Sequence, residues 1–304
     1  MNKSLKLFIN IAVLLLVAAL VWFMIKGVNR NNKPEYAEQV QETPDSKAYT
    51  KLASFDLPED IERFELEDDR LFISAGKNIY IYSTEGQQQT AFGVKGNPRD
   101  LDIEDNRIYI LYPASIEVYN YDGEQIVQWD ACSELSDYCS ITVVKNGVFV
   151  TDAENKNICK YTTEGAFVKF ISSPNGFIIP SYTFDIENYT DTIYCVNSGR
   201  HKIEVYTTDG EFVRAFGEAG TKGGAFVGCC NPAYISFSEN GQILCSEKGI
   251  PRISLFERNG TFNEVLLNSS SLGGGSKAYE VKTLGNKLFV GGKKTISVMQ
   301  RRNR

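Results

Sequence analysis

One histidine, His201, and seven cysteines mark where this chain could do chemistry, and most of them sit in polar loops beside charged residues. NSGRHK brings Arg200 and His201 together, GCCNP brings Cys229, Cys230 and Asn231, and SEKGIPR brings Glu247, Lys248 and Arg252. Two arginines, a lysine and a histidine can clamp an anion, because cationic donors bond anionic oxygens more strongly than neutral ones do. The plainer alternative pairs Arg200 and Arg252 with acids such as Glu247 and leaves His201 a solvated loop residue. Cys229 and Cys230 admit three readings: a strained, easily reduced vicinal disulfide, thiolate ligands to a metal, or small residues packed ahead of an Asn-Pro turn. Cys195 and Cys245 occupy matching strand positions, so a four-thiolate cluster with that pair is conceivable, although no C-x-x-C spacing supports it. Cys132 and Cys139 share the loop DACSELSDYC and are the disulfide candidates. Cys159, inside a strand-like run, reads as a buried free thiol.

Enzyme signatures are thin. A single histidine and no G-x-S-x-G leave little room for a nucleophilic triad, and HExxH, Walker and G-x-G-x-x-G patterns are missing. Asp102, Asp152, Asn197 and Glu247 supply the oxygens from which an axial metal site could be built, but such residues are common in turns. No catalytic residue and no cofactor is assigned. A binding or interaction module is the leading reading, with a metal-dependent lyase or hydrolase and a cysteine-based redox or metal protein as alternatives.

The elements that must position these loops repeat. IYIYSTEG, IEVYNYDG, ICKYTTEG, IEVYTTDG and ISLFERNG are each an apolar strand running into a tight turn, ending at Gly86, Gly123, Gly165, Gly210 and Gly260. Four residues before each glycine stands Tyr82, Tyr119, Tyr161, Tyr206 or Phe256, and a copy lacking the turn puts Met299 at the same place. Another large apolar residue follows each of the first five at a constant offset: Phe92, Trp129, Ile171, Phe216 and Leu266. With two further strands upstream, each unit has four, and four-stranded units recurring every ~40–50 residues are the mark of propeller blades. The fold class is all-β, a six-bladed β-propeller of four-stranded blades. The sixth unit has too little chain left for an outer strand. KLASF (residues 51–55) matches FVRAF (residues 212–216), so the N-terminal strand is expected to complete that blade and close the ring.

NPRDLDIEDNRIYIL, VYTTDGEFVRAFGEAGTKGGAF and NPAYISFSENGQILCSEKGIPRISLF resemble NHL-repeat propellers, over roughly residues 49–299. That resemblance implies a platform for protein, RNA or small ligands more than any one activity. It also implies that the loops leading into each inner strand share a face with those between second and third strands, which groups the candidate residues of blades four and five. The expected partner is a protein or small molecule on that loop face.

Leu7–Ile25 is an apolar run with only Asn10 polar, close to the length that crosses a bilayer. It is preceded by Lys3 and Lys6 and lacks an A-x-A-like cleavage site, so an uncleaved single-pass anchor is expected. The domains expected are a transmembrane anchor over 1–29, a flexible linker over 30–47 and the propeller over 48–304. Cysteine-bearing loops favour an extracytoplasmic propeller. The formal charge is −6, and the basic residues of the first 33 all flank the apolar run. The acidic remainder excludes non-specific nucleic-acid binding.

Overall fold

In the computed structural model, residues 13–22 and 43–302 are described, and the chain divides into two units, Met1–Gln41 and Glu42–Arg304. Within the first unit, residues 13–22 form a helix. The single-pass anchor expected over Leu7–Ile25 is overturned. Among the described residues no helix is long and apolar enough to cross a membrane. Residues 7–12 and 23–25 lie outside the described residues. The expected placement of the propeller on the outer side of a membrane, which the cysteine-bearing loops had suggested, is corrected with it.

The second unit is the expected propeller: six antiparallel four-stranded sheets, each made of consecutive strands except the last. The inner strands are Ile61–Glu67, Asp100–Glu104, Tyr138–Val144, Ile186–Tyr189, Tyr234–Phe237 and Glu280–Leu284. Blade six takes its outer strand from the chain start, Tyr49–Asp56, which pairs antiparallel with Thr295–Arg301. A single chain thus closes its own ring, and two sheet edges that would otherwise stand open are paired. Upstream of that strand, Ser46 N donates to Val265 O at 2.8 Å and Asp45 contacts Ser271, so residues 45–46 lie on blade five.

Apolar packing lies between blades. Six buried clusters each join two neighbours, as where Tyr109, Leu111, Ile116 and Trp129 of blade two meet Tyr138, Val148 and Tyr161 of blade three. The repeat explains this geometry. The large outer-strand residue of one blade stacks on the aromatic residue four before the turn glycine of the next: Phe92 on Tyr119 with ring centroids 5.5 Å apart, Trp129 on Tyr161 at 6.3 Å, Phe216 on Phe256 at 6.1 Å. Phe55 of KLASF does the same to Tyr82 at 5.1 Å, so the closing strand serves blade one as FVRAF serves blade five.

The turn glycine completes this lock. Gly165 has φ +90°, and a Cβ there would lie 2.2 Å from the Trp129 indole nitrogen; at Gly86 the intruder would be Phe55, at 2.7 Å. A side chain would therefore meet both backbone strain and the neighbouring blade. Gly165→Ala should lower stability by about 2–4 kcal/mol. Gly249→Ala, at φ +86° with nothing within 4 Å of the added carbon, should cost only the backbone part. Denaturant midpoints of the two variants test this, and equal losses would remove the packing contribution.

Candidate functional site

The inner strands bring one residue from each blade to the axis. Arg63 is the centre: its Nε donates to Asp100 Oδ1 at 2.8 Å and its Nη2 to Asp185 Oδ1 at 2.7 Å, while Glu280 Oε1 lies 3.2 Å from Nε. Its guanidinium stacks over Tyr234, 4.6 Å from the ring centroid. Ser140 Oγ completes the set, donating to Asp100 Oδ2 at 2.6 Å. Backbone amides take up the remaining carboxylate valence: Ile141 N to Asp100, Ile235 N to Asp185, Phe64 N to Glu280. Arg63, Asp100 and Asp185 are all buried.

Two residues further along the inner strands lies a second layer. Lys282 Nζ bonds Glu187 Oε1 at 2.6 Å and also Glu65, and Asp102 Oδ2 accepts from Val143 N at 2.6 Å. The axis therefore holds two cations against six carboxylates. The imbalance appears as retained protons. Burial, opposed by Arg63 and Lys282, pushes Glu280 up to about 7, and burial with the nearby Glu65 charge raises Asp102 well above the usual carboxylate range. Glu187 is raised for the same first reason.

Above Arg63 the axis opens into a funnel of about 670 Å³ on the expected loop face. Its floor is Arg63, Ser140, Asp185 and Tyr234, and its walls include Arg99, Tyr182, Lys248 and Lys277. Both loop classes contribute, Asn97–Arg99 leading into an inner strand and Lys248 joining a second strand to a third. Arg99 is engaged, bonding Asp137 and the Tyr138 carbonyl, with its guanidinium carbon 5.9 Å from the Tyr182 ring centroid. Lys248 Nζ donates to Thr183 Oγ1 at 2.7 Å, and neither Lys248 nor Lys277 has an acidic partner among the described residues. Tyr182 is 60% exposed, and it and Ser181 both have left-handed backbone, φ +55° and +57°. For an aromatic residue that conformation is strained, a feature concentrated at binding sites. A second hollow of about 500 Å³ shares Glu62, Tyr234, Lys277 and Ala278 with the funnel.

Of the residues singled out from the sequence, Lys248 and Cys139 line this funnel. Glu247 and Arg252 are 1% and 5% exposed and bond each other, with Arg252 also donating to the Ala225 carbonyl, so for them the structure realises the pairing alternative. Asn231 is buried and clasps two loops, its Nδ2 donating to Val227 O and Lys248 O and its Oδ1 accepting from Lys248 N. His201 sits in a left-handed turn with Nε2 against the Gly228 carbonyl, and Arg200 Nε donates to Gly176 O at 2.8 Å. Cys229 is exposed and Cys230 buried, with sulfurs 2.9 Å apart, and Cys230 Sγ lies 3.8 Å from Ser181 Oγ at the funnel rim.

The cysteines expected to pair diverge: Cys132 Sγ lies 3.2 Å from Cys159 Sγ, whereas Cys139 Sγ faces the Asp137 carbonyl at 3.7 Å. Cys195 and Cys245 belong to two separate apolar clusters, so no four-thiolate set forms with Cys229 and Cys230. Nor do the four oxygen donors gather. Asp102 faces the axis, Asp152 closes a blade-three turn, Asn197 bonds Glu204, and Glu247 bonds Arg252. Sequence reasoning missed Arg63, Asp185, Tyr182, Tyr234 and Lys277. The one signal for the axial set was that each residue stands at or near the start of an inner strand.

No family model matches the chain. It is 27% identical over 121 residues to the brain tumor protein of Drosophila melanogaster, a match covering 38% of this chain and 11% of that protein, so the chain spans about a tenth of that relative. Among solved structures, a catalytically inactive histidine-to-alanine variant of virginiamycin B lyase from Staphylococcus aureus with quinupristin superposes at TM-score 0.60. It is 16% identical, covering 85% of this chain and 93% of that one. The Pan2 WD40 domain of Neurospora crassa superposes at 0.52, with 12% identity over 87% of this chain and 98% of that one. These likenesses show the propeller fold.

Two outcomes follow from the buried charges. Folded Glu280 holds its proton up to about 7, whereas the unfolded chain releases it near 4.5, the ordinary value for a glutamate. Its contribution is therefore fully present at low pH and lost as pH rises from ~4.5 to ~7. Unfolding free energy should fall by up to about 3 kcal/mol across that window, with a shallower slope in Glu280→Gln. Arg252→Met should cost about 3–5 kcal/mol by stranding Glu247, and adding Glu247→Gln should recover part of it. Urea titrations at several pH values read both.

Proposed function

We propose that the protein is a binding propeller of NHL type whose working site is the axial funnel, and that its ligand, a small molecule or a partner's side chain, presents an anionic group there. The observation that carries this reading is the pair Lys248 and Lys277: two ammonium groups on the wall of a funnel of about 670 Å³, neither with an acidic partner among the described residues. Amines left unpaired at the mouth of a concave site are available to an incoming anion, whereas the carboxylates of the floor are already saturated by Arg63 and by backbone amides. Tyr182 and Tyr234 add aromatic surface for the ligand's body.

The NHL assignment draws on the repeat pattern and on the partial match to the brain tumor protein, an NHL protein. A lyase reading draws on fold likeness alone. The lyase variant that lacks a histidine is described as inactive, while the single histidine of this chain, His201, bonds the Gly228 carbonyl and is not among the funnel-lining residues. The acidic chain argues against nucleic acid as the partner.

The test is a thermal-shift screen of the full-length protein against carboxylates, phosphates and matched neutral compounds. Anions should raise the melting temperature, and each of Lys248→Ala and Lys277→Ala should weaken their binding about tenfold or more, the loss of one charge-assisted contact. Preference for neutral or cationic compounds, or binding untouched in the double variant, would overturn the reading.

A further inference from the structure

Away from the funnel, blade three assembles a second constellation from the loop that enters it and from two of its strands. Cys132 comes from the loop after Gln125–Asp130, Asp152 ends the strand Gly147–Asp152, and Asn157 and Cys159 stand two apart on Asn157–Tyr161. Asp152 and Asn157 are directly paired in register. Positions two apart on a strand face the same way, so Asn157 and Cys159 present their side chains together. The sulfurs of Cys132 and Cys159 and a carboxylate oxygen of Asp152 lie within 4.8 Å of one another.

We propose that Cys132, Asp152 and Cys159, with Asn157 Oδ1 as a fourth donor, bind a thiophilic divalent metal ion of the zinc class.

Four features carry it. The two sulfurs are 3.2 Å apart; bonds of about 2.3 Å in a tetrahedral site require about 3.8 Å, a smaller adjustment than closing to the ~2.05 Å of a disulfide. A disulfide has no use for the carboxylate, whereas two sulfurs and an oxygen are a zinc-type donor set. Asp152 is wholly buried with no cationic partner among the described residues, and its Oδ2 accepts only from Asn155 Nδ2, at 2.9 Å, leaving that oxygen a free lone pair. Asn157 is 8% exposed, and among the described residues its Oδ1 accepts only from the Cys159 thiol, at 3.6 Å, a weak bond that frees the oxygen once the thiol proton leaves.

Binding displaces the thiol protons as two metal–sulfur bonds form, and the complex with both thiolates and the carboxylate carries one negative charge. Affinity should therefore weaken as pH is lowered.

The experiment titrates cobalt(II), then zinc(II), into full-length protein purified in a phosphine reductant. Expected are one cobalt per chain, a near-ultraviolet thiolate-to-cobalt charge-transfer band abolished by zinc, and weaker binding as pH is lowered. Cys132→Ser changes a half-exposed loop residue and leaves the blade strands intact; it should weaken binding at least about 100-fold. Asp152→Asn should weaken it likewise, while the paired change Cys229→Ser/Cys230→Ser should leave it intact. The proposal is overturned by absence of a charge-transfer band, by a band that survives Cys132→Ser or depends on Cys229 and Cys230, or by peptide mapping that finds Cys132 and Cys159 disulfide-bonded despite the reductant.

Discussion

Everything about the centre of this molecule depends on Arg63. A guanidinium with 7% exposure is tolerable only when its charge and its donors are fully matched. Its carboxylate partners come from blades two, four and six and its aromatic partner from blade five, while Ser140 of blade three bridges two of the acids. The ring must therefore be closed and in register before the charge is satisfied. Closure in turn rests on Tyr49–Asp56, which supplies the last outer strand. The apolar clusters between blades provide the bulk stabilisation, but they are pairwise and would permit a range of blade angles. The axial network is the feature that joins all six blades at one point.

That network has an electrostatic consequence. Three carboxylates around Arg63 and three around Lys282 exceed what one cation per layer can neutralise, and water is largely excluded. Two responses are available to buried acids: hydrogen bonds from backbone amides, which Asp100, Asp102 and Asp185 receive, and a pKa raised by burial, which Glu280, Glu187 and Asp102 show. Because the floor satisfies itself, it offers an incoming group little. The unspent donors are at the rim, where Lys248 and Lys277 reach the same opening from different loops.

The propeller was legible because its determinants recur. Gly86, Gly123, Gly165, Gly210 and Gly260, with an aromatic residue four positions earlier, meet the same neighbour-blade contact every time, so one physical requirement is written five times in the chain. Even the closing strand could be read, since Phe55 must do for Gly86 what Phe216 does for Gly260. The axial residues carry no such repetition. Arg63, Asp100, Ser140, Asp185, Tyr234 and Glu280 occupy equivalent places but are chemically different, because a ring of identical charges could not be buried. Their link is complementarity across blades, which no local pattern displays. For the opposite reason Arg252 could be read either as part of an anion clamp or as the partner of Glu247: a polar loop motif gives no sign that Ala225 and Val227 fold over it.

The N-terminal apolar run and the thiols illustrate a related limit. An apolar stretch reports hydrophobicity, whereas spanning requires a continuous helix of sufficient length, and among the described residues no helix is long and apolar enough. Likewise, loop proximity made Cys132 and Cys139 natural partners, since a short segment closes on itself at small entropic cost. Strand geometry decides otherwise. Tyr138 begins the inner strand of blade three, and its hydroxyl accepts from Cys132 N at 2.9 Å while meeting the Tyr161 hydroxyl. That contact draws Cys132 inward over Asn157–Tyr161, while Cys139, one residue past Tyr138 on the same strand, points to the opposite face. Cys139 lines the funnel, apart from Cys132. One tyrosine thus separates the two cysteines nearest in sequence and delivers one of them to Cys159 and Asp152.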